Sequence, residues 1–147
     1  MVTVDSMSDA SDPPGPGELE AFREQVRDFL TANCSGWGED STRREDEGAS
    51  RARSFQAALS DAGLAGITYQ RELGGAGLSS AHQEAFDAVS KSWHLPNLPL
   101  AISHGMCLPM LNQFGTDAQR AEFMPDCISG RSIWCQMFSE PGAGSDV

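Results

Sequence analysis

Apolar residues recur at helical spacing through the first half of the chain. One stripe consists of Leu19, Phe22, Val26, Phe29 and Leu30. Its spacing predicts an amphipathic helix over 18–33, with Glu18 in the first turn, where a carboxylate stabilises the helix dipole. A second stripe predicts a helix over 50–62 that ends at Gly63, because glycine adopts the left-handed conformation without a Cβ penalty.

Two capping-box patterns predict later helices. Ser80 followed by Gln83 predicts the start of a third helix. Thr116 followed by Gln119 predicts a further, short helix, which Pro125 closes. In both patterns a side-chain hydroxyl is expected to accept a backbone N–H of the first turn.

The segment 100–114, between these two helices, is apolar on nearly all sides. A helix without a polar face is normally buried. We therefore expect this segment in the interior, with Pro109 kinking or splitting it because proline lacks a backbone N–H.

The pattern changes after Gly130. Residues 132–138 lack a helical stripe and are rich in strand-forming residues, which predicts a β-strand. A single strand has no ladder partner, so we expect a second domain to begin here.

The fold class that these elements predict is mainly α. Residues 1–17, rich in Ser, Asp, Pro and Gly, are expected to form a disordered leader. An up-down, bundle-like helical domain is expected over 18–130, and the first strand of an incomplete β domain over 131–147.

Composition narrows the function classes. The chain has 147 residues, 39% of them apolar, which is enough for a core, and a net charge of −11 from 10 Lys and Arg against 21 Asp and Glu. This charge argues against nucleic-acid binding, which needs clustered basic residues. There is no run of 18 apolar residues, so no membrane span is expected. The acidic first residues lack the features of an export or transit signal, and we expect a cytoplasmic protein.

Cysteine and histidine spacing indicates no metal site. The four cysteines, at 34, 107, 127 and 135, form no C-x-x-C pattern and are expected to be buried or half-buried thiols. Each of the three histidines (His82, His94 and His104) is expected to be a surface residue or a hydrogen-bonded core residue. None of them is assigned a catalytic role.

The glycine-rich tail is the strongest candidate for chemistry. In Glu140–Asp146, glycines allow backbone N–H groups to converge on an anionic oxygen, and Ser139 and Ser145 add hydroxyl donors. Two interpretations stay open on these residues: a site for the pyrophosphate and ring edge of a nucleotide-type cofactor, or an ordinary Pro-Gly turn capped by Asp146. Gly75–Ser80 begins like a dinucleotide fingerprint, but Ser80 replaces the third glycine, so a loop between helices is expected there.

The tail also carries a resemblance to a known family. Residues 134–147 (Trp-Cys-Gln-Met-Phe-Ser-Glu-Pro-Gly-Ala-Gly-Ser-Asp-Val) closely resemble the first flavin-binding signature of the acyl-CoA dehydrogenases. Residues 62–67 and 72–78 look like the family's loop between its first helices. Phe114-Gly-Thr with Gln119, Pro125 and Gly130 looks like the helix that precedes the signature. The resemblance covers about residues 18–147.

The resemblance implies a fold and a reaction. Members have an N-terminal helical domain, a middle β domain and a C-terminal helical bundle that together hold FAD. They introduce an α,β double bond into an acyl-CoA thioester: a glutamate takes the α-proton while hydride leaves the β-carbon for the flavin. The electrons then usually pass to an electron-transfer flavoprotein, and members assemble as homo- or hetero-oligomers.

By the same resemblance, the flavin ring contacts fall on Gln136, Phe138 and Ser139. Those of the ribityl–pyrophosphate portion fall on Gly144 and Ser145, and Ser145 also faces the acyl-CoA thioester. Gln136 stands where an aromatic residue is common, and Phe138 where a smaller aliphatic residue is usual. The pocket is therefore expected to differ in shape from that of most members.

The family's catalytic base lies in the C-terminal bundle, so no residue of this chain is assigned that role. The chain alone is therefore expected to be inactive. The leading hypothesis is the N-terminal part of an FAD-dependent acyl-CoA dehydrogenase. The alternative is a non-catalytic truncated or accessory subunit that acts as a helical interaction module. For the segment 100–114, the floor of an acyl pocket and a simple interhelical core both stay open.

Overall fold

The computed structural model describes residues 13–34 and 45–137. Within these ranges the chain forms helices and no strand. The α-helices are α1 (Pro16–Cys34), α2 (Glu45–Asp61), α3 (Ser80–Ser90), α4 (Leu108–Phe114) and α5 (Asp117–Ile128). Short 3₁₀ turns cover Arg71–Leu73 and Leu98–Leu100, and a π-helical turn covers Ser103–Cys107. The mainly helical fold class is confirmed.

Helix α1 buries the stripe that the sequence predicts. Phe22, Val26 and Leu30 are all buried, and α1 packs along α3. The helix begins at Pro16, two residues earlier than predicted, because proline suits the first turn, where its missing N–H costs no hydrogen bond. Residues 16 and 17 of the predicted leader are thus helical, and residues 1–12 lie outside the described part.

Helix α2 ends at the predicted glycine. The Gly63 N–H donates to the Ser60 carbonyl (3.0 Å) and the Leu64 N–H donates to the Leu59 carbonyl (2.8 Å). These two bonds form a Schellman motif, which requires a left-handed residue, and Gly63 has φ +69°. Leu59 and Leu64, which flank the motif, are both buried and close it with an apolar contact.

The start of α3 differs from the prediction. The N-cap is Ser79, not Ser80, and no side-chain cap hydrogen bond forms there. The Ser79 hydroxyl instead lies 2.9 Å from Nδ1 of His82. His82 is 4% exposed and its ring meets that of Phe22 edge-on at 5.0 Å, so α3 is fixed against α1 through a buried imidazole.

The segment 100–114 is not buried as predicted. Leu100 and Leu108 are buried, but the opposite face is open to solvent. Pro109 does not split the segment, because the π-helical turn Ser103–Cys107 passes directly into α4, which begins at Leu108 and has the proline in its first turn. The segment 100–114 is thus apolar on all sides, but only one of its faces contributes to the core and the other is exposed.

Helix α5 has the predicted start and a later end. The Gln119 N–H donates to the Thr116 hydroxyl (3.2 Å), and the Gln119 side chain accepts from the Thr116 N–H (2.9 Å), so the capping box is confirmed. Pro125 does not close the helix, which runs on to Ile128. Burial of Met124, Cys127 and Ile128 holds this last turn in place despite the hydrogen bond lost at the proline.

The core is shared by all five helices and the loop after α2. Its buried members include Val26, Leu30, Phe55, Leu59, Leu64, Ile67, Ala85, Leu108, Met124 and Ile128. The predicted strand over 132–138 does not form in residues 132–137, since no ladder partner lies in the described ranges. This segment leaves α5 and lies against the helices in an irregular conformation.

Candidate functional site

A wide helical turn is the most irregular helical feature of the described chain. In Ser103–Cys107 the backbone follows a π-helical path, and the Leu108 N–H donates to the Ser103 carbonyl five residues back. Pro109, which follows directly, has no N–H to offer to the carbonyl four residues before it. Such single π turns interrupt α-helices often at functional sites.

Ser103 connects this turn to the segment that begins the flavin-like signature. Its side chain is fully buried. The Ser103 hydroxyl accepts the backbone N–H of Trp134 at 2.7 Å and lies 3.3 Å from the Trp134 carbonyl oxygen, to which it donates. One side chain therefore satisfies both backbone polar groups of a residue 31 positions away.

Further contacts hold the chain that leads to Trp134. The Gln56 amide donates to the Ile128 carbonyl at 2.7 Å, and Arg53 donates to the Arg131 carbonyl at 3.1 Å. The Trp134 ring meets Phe123 of α5 edge-on, with centroids 6.1 Å apart. Helices α2 and α5 thus fix the path of the chain before it reaches Ser103.

Exposure alternates along residues 134–137. Trp134 and Gln136 are half-buried, whereas Cys135 is exposed and Met137 is 90% exposed. Of the residues predicted to contact the flavin, Gln136 alone lies in the described part, and it shares the buried side with Trp134. Phe138, Ser139, Gly144 and Ser145 lie outside the described residues.

The helical segment 102–114 carries an exposed apolar stripe. It consists of Ile102 (38% exposed), Met106 (45%), Met110 (58%) and Phe114 (68%). Their spacing of four residues places neighbouring members on the same side of the helical segment. We call these four residues the apolar stripe. The sequence left two roles open for the segment 100–114, one of which was a simple interhelical core. Because these four residues are exposed, they do not belong to that core.

A cavity of about 340 Å³ lies between α2, the loop after it and α3. Apolar side chains form much of its wall, including Phe55, Leu59, Phe86 and Leu108. Nε2 of His104, also in the wall, lies 2.9 Å from the Cys127 carbonyl oxygen, so this nitrogen is occupied by a structural bond. The cavity wall shows no nucleophile–base pair.

The predicted interpretations of histidine and cysteine hold with one exception. His82 and His104 are hydrogen-bonded within the fold, and His94 is exposed.

Cys34 and Cys127 are buried, and burial raises the pKa of each thiol to about 11. Cys135 is exposed, contrary to the prediction, because the segment after α5 is covered on one side only. No group of three metal-ligating side chains lies together in residues 13–34 and 45–137.

The glycine loop before α3 does not form an anion site. The N–H groups of Gly75, Ala76, Gly77 and Leu78 all donate to carbonyls of the same loop, between 2.8 and 3.1 Å. No set of free amides converges there, so the interpretation of this loop as a connection between helices is confirmed. An anion site needs amides that point outward together.

Sequence reasoning missed Ser103, and it did not decide between the surface and the core for His82. Neither belongs to a motif, and a serine within an apolar segment carries no local signal of its partner. The one available clue is that a polar residue on the buried side of a helix must find a hydrogen bond.

Comparison with known proteins agrees with this architecture. The described chain is a helical domain, followed after α5 by a segment that Ser103 holds at Trp134. Residues 16–131 match the family model described as "Acyl-CoA dehydrogenase, N-terminal domain". The chain therefore belongs to the acyl-CoA dehydrogenase family.

Several relatives share this part of the sequence. The acyl-CoA dehydrogenase IpdE1 of Mycobacterium tuberculosis is 36% identical over 88% of this chain and 35% of the relative. The mitochondrial isovaleryl-CoA dehydrogenase of Pongo abelii is 29% identical over 88% of this chain and 30% of the relative. The chain thus spans about a third of the length of these curated relatives.

One solved structure has the same fold. A chain in the crystal structure of the ChsE4–ChsE5 complex from Mycobacterium tuberculosis superposes with a TM-score of 0.64 at 22% identity. The match covers 92% of this chain and 33% of that one. In the described part of the present chain, no helix has both the length and the apolar character to cross a bilayer.

Proposed function

We propose that this chain is the N-terminal helical part of an FAD-dependent acyl-CoA dehydrogenase that introduces an α,β double bond into an acyl-CoA thioester. The observation that carries the proposal is the family match over residues 16–131, followed directly by the signature at 134–147. The residues of the signature would hold FAD, which would supply the acceptor for the hydride from the β-carbon of the thioester.

The residues after α5 suit a flavin. Gln136 carries an amide that both donates and accepts hydrogen bonds, as the polar edge of a flavin ring requires. In this proposal Phe138 and Ser139 also contact the flavin ring, and Gly144, which has no side chain, and the hydroxyl of Ser145 contact the pyrophosphate portion. Ser145 also faces the thioester in this proposal.

In the proposed reaction, this chain helps to bind and orient the flavin and the substrate. No glutamate here is assigned the role of the base that removes the α-proton, so that group is supplied by another part of the enzyme. The helical domain holds the first residues of the signature in place through the bonds of Ser103 to Trp134. The acceptor of the electrons is proposed to be an electron-transfer flavoprotein.

The apolar stripe supports a role in substrate binding. It is exposed on the described chain, lies in the segment anchored to Trp134, and contains two methionines that adapt to different ligand shapes. We propose that Ile102 and Met106 line the wall along which the acyl chain of the substrate lies. Burial of an acyl chain against such a wall contributes about 25 cal/mol per Å² of apolar surface removed from water.

The test is a flavin reduction experiment on the complete enzyme that carries this domain, purified from its native host. We expect a visible flavin spectrum that bleaches when an acyl-CoA thioester is added without oxygen. The variant Gly144→Val, which places a branched side chain at the proposed pyrophosphate contact, is expected to lose the flavin. Gly48→Ala, in α2, is the matched control and should keep it. A flavin that no acyl-CoA thioester reduces would contradict the proposed reaction.

The alternative is an accessory subunit without catalysis of its own. It is favoured by the exposed apolar stripe and by the structural neighbour, which is a chain of the ChsE4–ChsE5 complex. We propose a homo- or hetero-oligomer in either case. Purification that yields this domain only together with a second, flavin-bearing chain supports the subunit, whereas base and flavin on one polypeptide exclude it.

A further inference from the structure

The hydroxyl of Ser103 is placed to control where the signature segment begins. It is fully buried, so water cannot satisfy it, and its two hydrogen bonds both go to the backbone of Trp134. A contact to the N–H alone would leave the peptide free to rotate. Contacts to the N–H and the carbonyl of Trp134 together fix both the position and the direction of its backbone.

This contact also selects the register of the residues that follow. Trp134 and Gln136 are half-buried, and Cys135 and Met137 are exposed. Because side chains alternate between two sides, a slip by one residue would exchange Gln136 with one of its exposed neighbours. A side chain that binds the backbone of Trp134 prevents such a slip, two residues before the first proposed flavin contact.

The turn that carries Ser103 is itself hydrogen-bonded within the helical domain. Ser103 belongs to the π-helical turn, where the Leu108 N–H binds the Ser103 carbonyl, and His104, the next residue, binds the Cys127 carbonyl of α5 at 2.9 Å. The serine therefore lies in a helical turn that is bonded to α5, and not on a free loop. This makes it suitable for positioning another segment.

We infer that Ser103 is a positioning residue of the flavin site, which acts by fixing the backbone of Trp134 and thereby the placement of Gln136. The inference rests on the proposed function for the identity of the cofactor. It assigns a role in the site to a residue of the helical domain that belongs to no flavin signature.

The test compares three variants of the complete, flavin-bearing enzyme. Ser103→Ala removes both bonds to Trp134, and Ser103→Thr keeps the hydroxyl. Ser129→Ala is the matched control, because Ser129 is also buried but its hydroxyl binds carbonyls within α5. Two quantities are measured for each variant: hydrogen exchange at the Trp134 amide and the dissociation constant for FAD.

We expect Ser103→Ala to accelerate exchange of the Trp134 amide by about tenfold and to weaken FAD binding by a similar factor, as loss of a buried hydrogen bond does. It should also shift the visible absorption of the bound flavin, because the Gln136 amide moves relative to the ring. Ser129→Ala should leave the exchange, the affinity and the spectrum unchanged, although it lowers the melting temperature. Ser103→Thr should restore part of the loss.

Three results would overturn the inference. Unchanged exchange at Trp134 in Ser103→Ala would show that the hydroxyl does not hold this backbone. Faster exchange with unchanged FAD affinity and spectrum would show that the contact is structural alone. A wild-type enzyme that binds no FAD while Ser103→Ala still accelerates exchange at Trp134 would overturn the proposed function, and with it the role of Ser103 toward a flavin. If Ser103→Thr does not fold, the comparison of the two alanine variants decides the question.

Discussion

Gly75 is the glycine with the least space in the described chain. A Cβ built on it would overlap the carbonyl oxygen of Tyr69 and lie 2.6 Å from the Tyr69 Cβ. The Gly77 N–H donates to the same carbonyl, so the backbone cannot move aside without breaking this bond. At this position the requirement for glycine comes from close packing within the loop and not from a phosphate.

We therefore expect Gly75→Ala to lower the free energy of unfolding by about 2–3 kcal/mol, as overpacking does. The control is Gly48→Ala, since Gly48 lies inside α2 with no neighbour within 4 Å of its built Cβ. That change should raise stability by about 0.5–1 kcal/mol. Urea denaturation of both variants measures the difference. Equal stability of the two would show that the loop relaxes freely.

The buried thiols predict a loss of stability at alkaline pH. Burial raises the pKa of Cys34 and of Cys127 from 9.0 to about 11, with a smaller contribution from Cys107 in the case of Cys127. Between these values the unfolded chain releases the proton while the folded chain keeps it. Stability is therefore full below about pH 9 and falls as the pH rises to about 11, by up to about 1 kcal/mol per pH unit for each thiol.

The measurement is the free energy of unfolding at several pH values from about 8 to about 11, a range that encloses the interval between the ordinary and the raised pKa of the thiols. Cys34→Ala should flatten the slope. Cys135→Ala, which removes an exposed thiol, should leave the slope as in the wild type. A slope that is the same in all three proteins would show that other groups cause the alkaline loss.

At the scale of single helices, the starts of α3 and α5 show which of the predicted capping boxes form. Two sequence patterns of the same type predict capping boxes, and the structure forms one of them. At Thr116 both reciprocal bonds with Gln119 are present, whereas the start of α3 lies at Ser79 and its hydroxyl binds His82. At the start of α3 the Ser79 hydroxyl binds the buried imidazole of His82 and does not cap the helix. An unpaired nitrogen in the core is less favourable in free energy than an uncapped helix end in water.

From this difference we expect Thr116→Ala to lower the free energy of unfolding by about 1 kcal/mol. Ser80→Ala should change it by less than about 0.5 kcal/mol, since Ser80 is exposed and lies inside α3. Thermal denaturation followed by circular dichroism compares the two. A larger loss at Ser80 than at Thr116 would contradict the assigned caps.

The length of a helix also depends on the residues that pack against it, as the last turn of α5 shows. Helix α5 continues past Pro125 because its last turn carries Met124, Cys127 and Ile128 into the core. Gly74 packs directly against Pro125, with its built Cβ 3.0 Å from the proline Cα. Packing of the loop on this turn compensates for the hydrogen bond that the proline removes.

At the scale of the whole molecule, the apolar stripe is the feature that the helical domain leaves uncovered. Its four members are between 38% and 68% exposed, and Leu98 nearby in the chain is 74% exposed. Exposed apolar surface of this kind marks interaction sites or causes association. We expect the isolated 147-residue chain to self-associate for this reason.

Replacement of Met110 tests this expectation. Met110→Glu should reduce self-association at least severalfold without loss of thermal stability, because Met110 is 58% exposed and contributes little to the core. The control Gln113→Glu adds the same charge at an exposed polar position of α4 and should have a smaller effect. Analytical ultracentrifugation gives the association constants. Equal effects would indicate that added charge, and not the stripe, controls association.

The sequence by itself determined the local features of this chain. Helical spacing identified α1 and α2, Gly63 marked the end of α2, and the capping box at Thr116 identified the start of α5. The tail motif indicated the family that the match over 16–131 confirms. These features depend on residues within a few positions of one another or on a motif in continuous sequence. Backbone geometry and turn chemistry act over the same short distances.

Tertiary structure alone decided which of the predicted surfaces are buried and which distant groups meet. The contact between Ser103 and Trp134 joins residues 31 positions apart, and the burial of His82 depends on the placement of α1 against α3. The segment 100–114 exposes one apolar face, and residues 132–137 form no strand, because neither has a covering element within the described chain. Burial and strand pairing are set by partners far away in sequence, and no local pattern specifies them.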